Sequence, residues 1–134
     1  MKFSVSRLLA FFAFAVLCAA VFPLSASAKP HILFHVEHVY LNDPGEATVV
    51  GYFENDGDRT AYVKWTELDL TITADNGQQM WADTGIRHEL DLEVPAGDFV
   101  DYTFYIQNPD IPEYHGRYHW RTSNCRTHWN VNAG

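Results

Sequence analysis

Cysteine, methionine and helical periodicity are scarce in this chain, and each shortage narrows what it can be. The 134 residues contain two cysteines, Cys18 and Cys125, and two methionines, Met1 and Met80. Cys18 falls in an N-terminal segment with the marks of a removable leader, so one thiol remains beyond it and no internal disulfide can form. A single methionine beyond the leader weighs against a methionine-rich copper carrier. Beyond the leader, no stretch of convincing length has apolar residues at a 3.6-residue period, which argues against helical bundles and α/β architectures. There is no Gly-x-Ser-x-Gly elbow, no His-Glu-x-x-His and no glycine-rich phosphate loop, and nothing in the residue order pairs Cys125 with one histidine. Without a recognisable catalytic constellation, no enzymatic activity is expected.

Acidic residues are missing from both ends. Residues 1–28 hold none: Lys2 and Arg7 form a basic start, residues 8–22 are uninterruptedly apolar, and Ala26-Ser27-Ala28 is a small-x-small cleavage site. This is the pattern of an export signal, with a retained anchor as the structural alternative. The apolar run falls short of the roughly 20 residues a membrane span needs. Leu17 ahead of Cys18 disfavours lipid attachment, because the lipoprotein peptidase takes a small residue there. The expected destination is the periplasm, the cell surface or the medium.

Cleavage after Ala28 leaves residues 29–134, one domain's length, with seven Lys and Arg against 17 Asp and Glu, formally −10. That balance disfavours nucleic acid and anionic membrane surfaces as partners. All 17 acids precede residue 114, whereas residues 114–134 carry Arg117, Arg121 and Arg126 and no acid. This basic strip either lies beside acidic neighbours of its own chain or docks an acidic partner. The first is favoured, because charge runs on strands are usually solvated faces without a dedicated partner.

What the chain has in abundance is alternation. Ile32, Phe34, Val36, His38 and Tyr40 share one side of an extended segment, and Asn42-Asp43-Pro44-Gly45 turns it. A second strand over residues 47–54 ends at Asn55-Asp56-Gly57-Asp58. In residues 61–73, Leu68, Leu70 and Ile72 alternate with polar residues, but Val63 and Trp65 have the opposite parity. A bulge near residues 64–66, turning one strand into two, is expected there. Asp75-Asn76-Gly77 is the strongest hairpin signal, leading to a short strand near residues 79–81. Beyond Thr84-Gly85, Leu90, Leu92 and Val94 face inward. Pro95-Ala96-Gly97-Asp98 then turns into a strand with Val100, Tyr102, Phe104 and Ile106 inside. After the loop around Pro109, a last strand alternates Tyr118 and Trp120 with Arg117, His119 and Arg121. Seven or eight short antiparallel strands predict an all-β sandwich.

Residues 49–57, then Leu68-Asp69-Leu70, Asp75-Asn76-Gly77, Pro95-Ala96-Gly97 and Tyr102-Thr103-Phe104, resemble the immunoglobulin-like domains of bacterial envelope proteins, of the SLAP and FxLYD types. The resemblance covers about residues 39–106. It implies an immunoglobulin-like sandwich and a non-enzymatic extracytoplasmic module contacting an envelope protein or cell-wall glycan. It rests on turn residues and so speaks to fold more than to activity. Trp65, Trp81 and the histidine-rich ends depart from it.

Seven histidines, all beyond the leader, raise a second possibility. His31 and His35 share a strand face about 13 Å apart, too far to chelate one ion, and so do His115 and His119. His35 and His119 would converge if the first and last strands paired. Cys125 and His128 have chelating spacing, and His119 could complete a zinc or copper site. The alternative is a free thiol beside surface histidines. Glu54, Asp56 and Asp58 crowd a turn but lack a full calcium loop, so solvation suffices for them. Tyr114, Arg117, Arg121 and Trp129 are the candidate partner contacts, although the aromatics also suit a covering role over the core.

Overall fold

The computed structural model describes residues 30–132, so the expected leader and cleavage site lie outside the described residues. Six strands follow one another: β1 (Ile32–Asp43), β2 (Glu46–Asn55), β3 (Ala61–Ala74), β4 (Gln79–Val94), β5 (Phe99–Gln107) and β6 (Tyr118–Asn130). They form two three-stranded antiparallel sheets, ordered β1-β2-β5 and β4-β3-β6, with no helix among the described residues. The sheets share one apolar core, in which Phe53, Val39, Val49 and Phe104 of one meet Val63, Leu68, Leu70 and Ile72 of the other. Across this sandwich-like body β1 lies over β6 and β5 over β4.

The expected seven or eight strands are six, because two anticipated breaks are absorbed as bulges. Lys64 is an extra residue of β3 opposite β6, since Val63 pairs with Trp129 and Trp65 with His128. The strand continues through it, changing parity so that Val63 and Leu68 both point inward while Trp65 points out. In β4, Leu68 pairs with Ile86 and Leu70 with Asp83, which leaves an extra residue at Thr84–Gly85. Gly85 takes a φ of 63°, where a glycine carries no Cβ penalty, and β4 runs on for 16 residues.

A third bulge corrects the reading of β1. Val36 pairs with Gly51 and His38 with Val50, so Glu37 is supernumerary and the parity flips after Val36. Val39 and Leu41 are therefore buried, and Tyr40, expected on the same side as Ile32 and Phe34, is 41% exposed. Gly51 lets β1 approach: a Cβ there would lie 2.2 Å from the His35 carbonyl oxygen. Beyond β5 the chain closes one end of the core with buried Ile111, held by Gly45 N–H donating to the Ile111 carbonyl. At the other end buried Asn55 donates to the carbonyls of Arg59 and Val94 and accepts the Gly57 N–H, tying the β2–β3 turn to the end of β4.

Candidate functional site

The outer face of β4-β3-β6 is polar and largely self-satisfied. Trp65 of β3 is stacked on His128 of β6, with ring centroids 5.5 Å apart, and carries the Arg87 guanidinium of β4 3.8 Å from its ring. The row thus crosses all three strands, with a cation over an aromatic face. Beside it, Glu67 accepts from Arg126 and lies 3.9 Å from Arg87. Asp75 lies 3.9 Å from Arg117 and 3.5 Å from His119. The basic strip of the last strand therefore sits beside acids of its own chain, and Arg121 has no ion-pair partner among the described residues.

One carboxylate organises this face. Asp69, in the middle of β3, accepts the Gly85 N–H at 2.9 Å from one neighbouring strand and the Asn124 amide at 2.7 Å from the other. Gly85 and Asn124 are both in the left-handed region, with φ of 63° and 51°, and each sits at a bulge. The Asn124 amide and then the Gly85 N–H hold the Asp69 carboxyl below its usual value of 3.8.

The predicted metal ligands are spread along β6. His119 pairs with Thr73 and His128 with Trp65, eight β3 residues apart, or about 26 Å at strand spacing. Cys125 lies at the bulge between them; burial pushes its thiol up, and a hydrogen bond with Thr122 opposes the rise. No group of three or more His, Cys, Asp and Glu side chains among the described residues is placed to hold a metal ion. The first and last strands do not pair. His38, not His35, approaches the last strand, 6.2 Å from Trp120 and 6.5 Å from Tyr118.

Each of the seven histidines has a neighbour of its own. His31 reaches Asp56 at 3.1 Å, His35 reaches Glu54 at 2.7 Å and His115 reaches Glu113 at 2.8 Å. The turn acids Glu54 and Asp56 are thereby engaged by β1 rather than gathered around a cation. His88 enters the space between the sheets, stacked on Phe104 at 4.5 Å with its Nε2 2.8 Å from the Tyr102 hydroxyl. Burial pushes its imidazole below the ordinary 6.5, against the opposing charge of Glu89. Two predicted partner contacts, Tyr114 and Trp129, pack on the core, while Arg117 and Arg121 are exposed.

The other outer face, that of β1-β2-β5, differs in kind. Of the five large apolar residues exposed among the described residues, four stand on it: Phe99 (59%), Tyr105 (55%), Leu33 (42%) and Tyr40 (41%). Strand register places them in two rows. Leu33, Glu54 and Phe99 form one, and Tyr40, Thr48 and Tyr105 the other, six residues or about 20 Å apart along the strands. Between them Tyr52 stacks on His35 at 4.8 Å and meets Phe99 edge-on at 5.7 Å. The three strands contain no Lys or Arg, whereas Glu37, Asp43, Glu46, Glu54 and Asp101 make them acidic. This combination of flat sheet, exposed rings and one sign of charge can hold a partner by stacking and burial.

Sequence reasoning missed this face. The available signal was broken alternation: Val49-Val50, Tyr52-Phe53 and Phe104-Tyr105 place apolar residues on both sides of their strands. The chain matches no known protein-family model and no curated protein.

Proposed function

We propose that this chain is an exported, non-enzymatic binding or structural module of the bacterial cell envelope, an immunoglobulin-like domain resembling the SLAP and FxLYD types. It engages an envelope protein or cell-wall glycan through the outer face of β1-β2-β5. The observation carrying this reading is the gathering of Leu33, Tyr40, Phe99 and Tyr105 on one sheet face, where burial of each side chain on a partner would contribute about 1–3 kcal/mol. The opposite face supports the assignment by contrast, since Trp65 there is already covered by Arg87 and His128. His88, the histidine with a lowered titration, is engaged by Tyr102 and Phe104.

The test is binding of the exported, processed protein to isolated cell walls and to solubilised envelope proteins. A Phe99→Ser/Tyr105→Ser variant is expected to bind at least tenfold more weakly with unchanged circular dichroism, while Arg121→Ala binds as the parent does. Equal binding by the double variant overturns the assignment of this face. Elemental analysis of the same protein tests the transition-metal alternative. Stoichiometric zinc or copper that is lost in Cys125→Ser/His128→Ala would establish it.

A further inference from the structure

The two sheets have four edge strands, and three of them are interrupted. β1 carries Glu37 as an extra residue, β4 carries extra residues near Met80, Thr84–Gly85 and Leu90–Asp91, and β6 is bulged at Asn124. Bulges, lysines and prolines are how proteins prevent an edge from pairing with a foreign strand. β5 has none of them. It pairs with β2 over nine consecutive residues without a register shift, contains no Pro, Lys or Arg, and has no strand on its other side among the described residues.

The space beside that free edge is incompletely filled. Ile86, Leu90 and Leu92 of β4, and Val100 and Tyr102 of β5, pack on the core yet are only half-buried. A concavity of about 210 Å³ opens between β4 and β5, lined by Asp83, Ile86 and His88 on one side and Phe104, Ile106 and Asn108 on the other. Charge around it is one-sided. Asp83, Glu89 and Glu93 of β4 and Asp101 of β5 outnumber the nearby cations, which are Lys64, held by Asp91 at 2.8 Å, and Arg87, whose guanidinium lies over Trp65.

We infer that β5 receives an added β-strand from a second polypeptide, an extended segment in which apolar residues alternate with Lys or Arg. This rests on the reading of the chain as a binding module and specifies the partner's class and the mode of contact. The added strand takes the unpaired N–H and C=O groups of β5, and its inward residues cover Ile86, Leu90 and Leu92. Its outward cations lie beside Asp101 and over the rings of Phe99 and Tyr105. A glycan has no backbone ladder to offer this edge. Two copies joined through β5 would bring two acidic edges together.

The probe is a capped ten-residue peptide of alternating Val and Lys, titrated into the processed full-length protein by calorimetry. Amide hydrogen exchange of β5 is followed by NMR. The Lys peptide is expected to bind at least tenfold more tightly than its Glu counterpart and to slow exchange of alternate β5 amides. N-methylation of one alternate set of peptide nitrogens abolishes binding, and methylation of the other set does not. Asp101→Asn weakens binding several-fold while leaving the fold intact. Absence of binding overturns the inference, as does binding that perturbs only the outer sheet face, or β5-mediated self-association in sedimentation. If the peptide fails while Phe99- and Tyr105-dependent envelope binding persists, strand addition alone is overturned. If both fail, the binding-module reading falls with it.

Discussion

His88 is the residue whose chemistry the fold alters most plainly. Its imidazole is pressed between the sheets against Phe104 and bonded to Tyr102, and burial lowers its pKa below 6.5. The unfolded chain therefore takes up the proton first on acidification. The associated stability is fully present above the ordinary value of 6.5 and is lost as pH falls through the lowered one. His88→Phe keeps the stacking and removes the titration. Urea unfolding should show a shallower loss of stability between pH 7 and 5 for the variant, at a cost of about 1 kcal/mol at pH 7 for the lost Tyr102 bond. Cys125 offers a second check at this scale: it is exposed on β6, but partial desolvation and the charge of Asp69 push its thiol up and reduce the thiolate fraction at neutral pH. Alkylation by iodoacetamide at pH 7.5 is expected to be several-fold slower than for a free cysteine, accelerating in the unfolded protein.

Among the strands, the bulges decide which residues the core receives. Glu37 shifts the parity of β1 so that Val39 and Leu41 enter the core, and removing it would leave those residues on the same side. Deletion of Glu37 is therefore expected to preserve the fold, with a melting temperature within a few degrees of the parent. It should also increase self-association, because β1 would then pair without a shift from Ile32 to Tyr40; sedimentation measures this. Gly51 tolerates far less. An alanine Cβ would meet the His35 carbonyl oxygen at 2.2 Å and the Phe34 ring at 2.9 Å, so β1 and β2 would have to separate. Gly51→Ala should cost about 2–4 kcal/mol in chemical denaturation.

For the molecule as a whole, stability comes from packing rather than covalent closure. Phe53, Val39, Val49, Val63 and Ile72 have no exposed surface, and removing the Phe53 ring alone should cost about 3–5 kcal/mol. If the proposed leader is removed after Ala28, Cys125 is the one cysteine left, and a reducing agent should leave the unfolding midpoint of residues 29–134 unchanged, which thermal denaturation with and without dithiothreitol checks. The two outer faces divide the surface properties. Cations gather on β3, β4 and β6 beside acids that engage them, and exposed rings gather on β1, β2 and β5 with no cation nearby.

Alternation and turn chemistry are local, so the sequence by itself determined the all-β class, the hairpin at Asp75-Asn76-Gly77, and the inward sides of β5 and the second half of β4. Composition likewise determined the acidic balance of the chain. Only the tertiary structure decided what depends on register between distant strands. That includes the parity change at Glu37, the continuation of β3 as one strand through its expected bulge at Lys64, and the distance between His119 and His128. It also includes the coverage of Trp65 by Arg87 and His128 while Phe99 and Tyr105 stay open. A bulge moves every later side chain to the other face, and whether one forms depends on which partner strand must be matched. That partner can lie tens of residues away along the chain.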